Sequence, residues 1–347
     1  MINRRINIVM PKGCILLLTL ECIFKCKMCH LWRIKQNDLD RPSIEQWKAF
    51  ISSFDGFVEK GTLENRFTVT FGGGEPLLRK NELLELMKFC SGKDYWTSIA
   101  TNGYLIDKKL IEEFINLKLH YLGISLDSLA EETHDYLRGT KGSYRKVMES
   151  IEYLSKFKGA PHLDINTIIM NYNISNILDL TQWAIDKDRI SSISFQAIMQ
   201  PFHDPILEDW HRREEYSMLS PSDIKNLQFA IDGIIKIKKD HINKNRQDKV
   251  SNPVSQLEAF KNYFLEPGEF LKQIKCKVLD SGFFAISPNG DVNLCPFMEP
   301  IGNIKDGGLE KLWYSDKAEE IKNKMLLCKK GCHHLVNCWY EEDGHEQ

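Results

Sequence analysis

The sequence predicts an α/β fold in which a parallel sheet is covered by helices on its outside. Three observations carry that prediction. Short runs rich in Ile, Val, Leu, Phe and Thr alternate with longer amphipathic stretches from residue 15 to about residue 200. One run plus one stretch takes about 30 residues, which suits a strand and the helix that crosses back to the next parallel strand. The notable polar segments fall just after the runs, at the strand ends where parallel sheets place their active sites. Periodicity alone does not choose between an open doubly wound sheet and an incomplete barrel.

The strands are expected at residues 15–20, 66–71, 96–101, 121–126, 162–169 and 192–198, each closing in a polar or glycine-containing turn. Helices are expected between them at residues 43–54, 80–91, 108–116, 144–156 and 175–186, with Ser43 and Gln46, and Ser175 and Asp179, as helix starts. Residues 205–265 form a helical bridge of mixed charge, and Pro253 and Pro267-Gly268 mark a boundary after it. Residues 282–294 suit a β-hairpin turning at Asn289-Gly290, and a helix near 315–327 leads into Cys328, Cys332 and Cys338. The expected organisation is a core over 14–205, a helical bridge over 206–267 and a cysteine-bearing C-terminal domain over 268–347, without internal repeats.

Composition narrows the function classes. With a net charge of −2, 27% charged and 42% hydrophobic residues, the chain resembles an ordinary soluble protein and has no global field for nucleic acid or a membrane surface. The Lys-rich stretch 234–249 is expected to be the solvated face of a helix. Pro11 and Gly13 interrupt any signal-peptide core, and the apolar run 14–20 is far short of the roughly 20 residues of a membrane span. Ten cysteines in a chain expected to be cytoplasmic point to metal or redox chemistry, since reducing compartments do not sustain a disulfide framework. Four lie by residue 29, Cys90 stands alone, and five fall between Cys276 and Cys338. Cys14 and Cys90 are expected to be buried packing residues.

The first cluster is Glu21-Cys22-Ile23-Phe24-Lys25-Cys26-Lys27-Met28-Cys29-His30, directly after the first strand. Three thiolates in eight residues can hold three corners of a cubane iron–sulfur cluster, leaving one iron open to a substrate or cofactor. A zinc site completed by His30 remains the alternative at this point; otherwise His30 lines the pocket and Met28 packs around it. Further strand-end segments accompany the triplet: Gly72-Gly73-Gly74-Glu75-Pro76, Thr101-Asn102-Gly103 and Ser125-Leu126-Asp127-Ser128.

Together, the C-x3-C-x-Met-Cys run, Gly73-Gly74-Glu75-Pro76, Thr101-Asn102-Gly103 and Ile124-Ser125-Leu126-Asp127 resemble the radical S-adenosylmethionine (radical SAM) superfamily over residues 14 to 200. The resemblance implies a partial (β/α)6 TIM-like barrel. It implies a [4Fe–4S] cluster on Cys22, Cys26 and Cys29, with SAM chelating the open iron. One electron, supplied by a flavodoxin- or ferredoxin-type donor, then cleaves SAM to a 5′-deoxyadenosyl radical that abstracts hydrogen from the substrate. Gly73 and Gly74 would let the backbone approach the SAM methionine, with Glu75 shaping the turn. Ser125 and Asp127 would face the SAM carboxylate or ribose, Asn102 would line the pocket, and Arg138 would pair with the SAM carboxylate. Asn166 and Gln196 are further candidates at later strand ends. Arg138 alternatively pairs with Glu131 or Asp135 on its own helix.

At the other end, Cys276 and Cys295 flank Gly290 with the C-x13-G-x4-C spacing that resembles the auxiliary-cluster extensions called SPASM and Twitch. Cys328, Cys332 and Cys338 follow, and five cysteines complete one four-thiolate cluster with one left over. The resemblance therefore implies one auxiliary cluster, with Cys276, Cys295, Cys328 and Cys332 as ligands and Cys338 competing for one place. A structural zinc site with His333 or His334 is the alternative. A leftover thiol near the pocket, Cys338, can donate a hydrogen atom to a substrate radical.

The function expected is a radical SAM maturase that cross-links, oxidises or epimerises a peptide or protein. A radical SAM enzyme acting on a small molecule such as an aminocyclitol or sugar alcohol is the alternative, and a non-catalytic iron–sulfur carrier a third. The chain begins close to the first strand, which gives no fused N-terminal peptide-recognition domain and weighs against the peptide substrate without excluding it.

Overall fold

A computed structural model describes residues 10–36, 40–57, 66–202, 204–207, 209–244, 246–338 and 340. Six strands stand side by side, all parallel and in sequence order: β1 Gly13–Thr19, β2 Thr68–Gly73, β3 Trp96–Thr101, β4 Tyr121–Ser125, β5 His162–Ile169 and β6 Ile190–Ala197. A doubly wound sheet reverses its strand order part-way and carries helices on both faces. Here the order never reverses. Along β5, Leu163, Ile165, Thr167 and Ile169 are sealed beneath helices, while Asp164, Asn166 and Ile168 are half-buried on the opposite, concave face. The sheet does not close on itself, so it forms the partial barrel that the family resemblance implied.

The covering helices are α1 Ile44–Ser52, α2 Lys80–Gly92, α3 Lys108–Asn116, α4 Glu131–Arg138, α5 Ser143–Ser155 and α6 Ile177–Asp186. Ser43 caps α1 in a reciprocal box with Gln46, as its sequence predicts. Ser175 does not cap α6. A 3-10 turn at Ile174–Asn176 precedes that helix, and Asn176 makes no side-chain cap. The turn is set by Asn173, whose amide accepts from the Met170 N–H and donates to the Ile168 and Asp127 carbonyls. Helix α4 lies outside the expected helical stretches; it stops at Gly139, in the left-handed region at φ 62°.

After β6 come α7 Pro221–Asn243, α8 Val254–Leu265 and α9 Pro267–Gln273. Pro253 and Pro267 both open helices, where a missing N–H costs nothing. The hairpin forms as β7 Phe283–Ile286 and β8 Asp291–Asn293, turning at Gly290 with φ 92°. It does not stand apart from the core: β7 runs parallel to β1, with Gly13 opposite Phe283, and β8 pairs with β9 Gly302–Asn303. The sheet thus runs to nine strands. Two helices, α10 Leu309–Trp313 and α11 Asp316–Leu326, follow, α11 being capped by Ser315, and a 3-10 turn at His333–Asn337 comes after them. Among the described residues no helix is long and apolar enough to cross a membrane.

Candidate active site and a second cysteine centre

The loop after β1 carries the cysteine triplet to the carboxyl end of the barrel, and neighbours grip it on every side. Gln36 closes it at the base, accepting from the Leu20 N–H (2.7 Å) and the Thr19 hydroxyl (3.1 Å). The Trp32 indole donates to the Cys26 carbonyl at 3.3 Å, and Phe24 packs edge-on against Tyr104. On the far side, the Lys27 N–H donates to the Leu137 carbonyl at 2.8 Å. Gly139 sits so near that an added Cβ would come 2.2 Å from the Lys25 carbonyl oxygen. The end of α4 is therefore moulded to the cysteine loop.

Within the loop Cys26 is 8% exposed and Cys22 and Cys29 are half-buried. Two N–H groups point at the Cys22 sulfur, from the Phe24 backbone (3.4 Å) and the Asn102 amide (3.9 Å). Burial raises all three thiols, that of Cys26 to about 12, so a bound metal would have to supply the charge that ionises them. Cys26 senses both Cys22 and Cys29 through space. Yet among the described residues no three His, Cys, Asp or Glu side chains are gathered tightly enough to grip one metal ion. Three thiols carried on one loop are a donor set for a cubane cluster with one iron left open. His30 turns away to Asp204, with Nδ1 at 2.9 Å from the carboxylate, and Met28 is buried in packing. Cys14 and Cys90 lie fully buried in the core, where burial raises their thiols as well.

The turn after β2 locks onto the root of this loop. The Gly74 N–H donates to the Thr19 carbonyl (2.7 Å) and the Glu75 N–H to the Glu21 carbonyl (2.8 Å). A Cβ on Gly73 would lie 2.1 Å from the Thr19 oxygen, and one on Gly74 2.2 Å from the Glu21 oxygen. The glycines are thus demanded by the approach of protein backbone to protein backbone, in addition to any approach of a ligand. Glu75 is completely buried, and its carboxylate accepts from the Leu77 N–H (3.0 Å), the Thr101 hydroxyl (2.8 Å) and the Asn102 N–H (2.9 Å). One side chain therefore joins the ends of β2 and β3, and through Asn102 reaches Cys22. Burial raises its carboxyl, and these donors oppose the shift.

Asp127 and Arg138 find each other. Arg138 Nε and Nη2 donate to the two carboxylate oxygens at 2.7 and 3.0 Å, with the arginine 7% exposed and the aspartate fully buried. Asp127 Oδ1 also accepts from the Ile168 N–H. The helix-mates considered for Arg138 are engaged elsewhere: Glu131 with Arg145, and Asp135 with Gly142, Ser143 and Tyr144. The guanidinium lies beside Cys26, whose thiol it lowers against the larger effect of burial. Ser125 is half-buried at the end of β4, in register with Asn166 on β5.

The expected Asn166 and Gln196 lie on the concave face beside Asp164, Ser192 and Ser194, which the sequence argument passed over. Ser192 donates to Asp164 at 2.6 Å, Ser194 donates to Asn166 at 2.7 Å, and Gln196 is exposed above them. These polar groups form a wall along β5 and β6. Its signal was present as the alternation of residues 162–166, where His162, Asp164 and Asn166 are polar and Leu163 and Ile165 apolar.

The second centre draws on separate segments. Cys276 follows α9, Cys295 follows β8, and Cys328, Cys332 and Cys338 follow α11. Cys332 senses Cys295, Cys276 and Cys328, while Cys276 and Cys338 share a hydrogen bond that lowers the first thiol to about 6 and raises the second. All five thus meet. His333 is buried against Tyr263, and His334 packs on Phe202 and Phe297.

Comparison with known proteins decides the family. Residues 16–184 match the radical SAM superfamily, and residues 276–339 match the SPASM iron–sulfur cluster-binding domain. The chain belongs to the radical SAM superfamily. Its cofactors are a [4Fe–4S] cluster with SAM in the barrel and auxiliary iron–sulfur chemistry in the SPASM domain. With the PqqA peptide cyclase of Bradyrhizobium diazoefficiens it shares 28% identity, over 51% of this chain and 44% of that protein. The chain thus spans less than half of that cyclase. With the AdoMet-dependent heme synthase of Methanosarcina barkeri it shares 22% over 80% of this chain and 79% of the other. Among solved structures, Streptococcus suis SuiB bound to its precursor peptide SuiA matches with a TM-score of 0.62 at 17% identity, covering 94% of this chain and 72% of that one. At that identity the likeness shows the fold alone.

Proposed function

We propose that this radical SAM enzyme modifies a peptide or protein, by cross-linking, oxidation or epimerisation. The observation that carries a catalytic reading is the buried Glu75 carboxylate tying the Gly73-Gly74 turn, Asn102 and Cys22 into one rigid unit at the barrel mouth. Cys22, Cys26 and Cys29 would hold the cluster, and Gly73, Gly74, Glu75, Asn102 and Ser125 would shape the SAM pocket, with Asp127 and Arg138 bracing its far side. When bound, the cluster supplies the electron that splits SAM into methionine and a 5′-deoxyadenosyl radical able to take hydrogen from an unactivated carbon. The chain's own contribution is to hold the thiols, orient the pocket and exclude water.

The peptide substrate is supported by the PqqA cyclase relation and by the concave wall itself. Asn166, Ser194 and Gln196 offer donors and acceptors of the kind that a peptide backbone needs. A small-molecule substrate is the second reading, favoured by the heme synthase relation, which spans more of the chain. Cys276, Cys295, Cys328 and Cys332 would bind an auxiliary cluster, with Cys338 the fifth thiol and a candidate hydrogen donor. An external flavodoxin or ferredoxin would deliver the electron.

Anaerobically reconstituted protein given SAM and dithionite is expected to release 5′-deoxyadenosine, and Cys26→Ala to release none. Production by the Cys26→Ala protein at the parent rate would overturn the assignment. Mass spectrometry of candidate precursor peptides incubated with the enzyme separates the two substrate classes, a loss of hydrogen or a new cross-link supporting the first.

A further inference from the structure

Strand β6 is the open edge of the six-strand wall, for among the described residues no strand lies beyond it. An edge strand presents an outward N–H and C=O at every second residue, and each needs a partner. Three successive outward residues of β6 find three different ones. The Ile193 N–H donates to the Lys249 carbonyl (2.7 Å) and its carbonyl accepts from the Ser251 N–H (3.0 Å). Phe195 is met by the side chain of Asn252, which accepts from its N–H (2.6 Å) and donates to its carbonyl (2.8 Å). Ala197 is met in the same way by Asn337, at 2.9 and 2.8 Å.

Asn337 immediately precedes Cys338. Its amide also donates to the Met199 sulfur at 3.3 Å. A second tie lies just after Cys332: buried His333 has Nδ1 2.7 Å from the Tyr263 hydroxyl, which donates to the Ile198 carbonyl at 3.2 Å. Two bolts into the end of β6 therefore lie between the last two cysteines, one beside each.

We infer that Asn337 is a positioning residue for the auxiliary cluster, and that loading the cluster and ordering the barrel's open edge are linked. Asn337 acts through Cys338, holding it where the other thiols meet; a cluster on those thiols in turn holds Asn337 against Ala197. Such linkage is reciprocal. Asn252 supplies the control, because it makes the same pair of bonds two residues earlier on the same edge but has no cysteine beside it. The inference rests on the C-terminal cysteines being iron ligands.

The test uses the full-length chain with Cys22, Cys26 and Cys29 all changed to Ala, so that bound iron reports the auxiliary site alone. Iron release to bathophenanthroline and hydrogen exchange at the Phe195 and Ala197 amides are followed with and without iron. Stripping iron is expected to speed exchange at Ala197. Asn337→Ala should release iron roughly tenfold faster and leave Ala197 exchange indifferent to iron. Asn337→Asp keeps the acceptor but loses the donor and should fall between. Asn252→Ala should speed exchange at Phe195 while releasing iron as the parent does, and only the Asn337 variants should alter the electron paramagnetic resonance signal of the reduced cluster. Equal iron release from Asn337→Ala and Asn252→Ala would overturn the inference, as would Ala197 exchange that ignores iron in the parent. A parent that takes up no iron would overturn the ligand assignment, and the inference with it.

Discussion

At the barrel mouth the cysteine loop is gripped by main chain and buried polar side chains, whereas the five C-terminal cysteines arrive from three segments and depend heavily on one another. Gln36, Trp32, Leu137 and the Gly74–Glu75 backbone all hold the first loop without any metal. In the second centre, the partner that most perturbs Cys276 is another cysteine, Cys338. The first site is preorganised by the fold, which suits a cofactor that must be met in one orientation. On the inference drawn above, the second would gain order as it is filled, as metal-coupled folding does.

Removing the cation from the buried Asp127–Arg138 pair should have the largest effect. Arg138→Met leaves the aspartate buried and uncompensated, and about 3–5 kcal/mol of stability should be lost in anaerobic denaturant titrations. Iron at the first site should fall more than iron at the second, as read by Mössbauer spectroscopy. Equal losses would break the contrast. Gly74→Ala comes next: its Cβ would meet the Glu21 and Leu20 oxygens at 2.2 and 2.5 Å, and overpacking of this kind costs about 1–3 kcal/mol. Iron uptake should drop at the triplet, with the C-terminal iron retained.

The effect that is smallest near neutral pH is a titration. His134 accepts from the Asp127 N–H at 3.2 Å, and burial lowers its pKa to about 4, so it is neutral in the folded protein. The unfolded chain takes up a proton near pH 6.5 that the folded chain refuses until about pH 4. Its contribution to stability is thus complete above that range and declines as pH falls through it, by about 1.4 kcal/mol per pH unit. His134→Gln should flatten this part of the stability profile, measured by denaturant titration across pH. An unchanged slope would mean that the histidine is protonated in place.

Much of this was legible in the sequence, for identifiable reasons. Strands Trp96–Thr101 and His162–Ile169 fall where their β-rich runs put them, and the Ser43–Gln46 box marks α1, because these signals are local. Helix α4 entered the sequence argument only as the helix of Arg138, without bounds, because its eight residues are mostly polar or charged and leave only a short apolar face. Asp127 and Arg138 were both singled out, yet each was assigned to a ligand. Their partnership spans a turn and a helix, and no spacing rule announces it.

The sequence by itself determined the chemistry: which residues are thiols, where glycine is permitted, and the strand–helix alternation that brings strand ends together. Tertiary structure alone decided what those residues face. It put β7 beside β1 and so joined the C-terminal hairpin to the barrel, turned the missing Cβ atoms of Gly73 and Gly74 toward the cysteine loop, and set Asn252 and Asn337 on the open edge. The physical reason is the same in each case. Hydrogen bonding within an element follows a local period, but an edge, a close approach or a buried charge is satisfied by whatever the folded chain brings near.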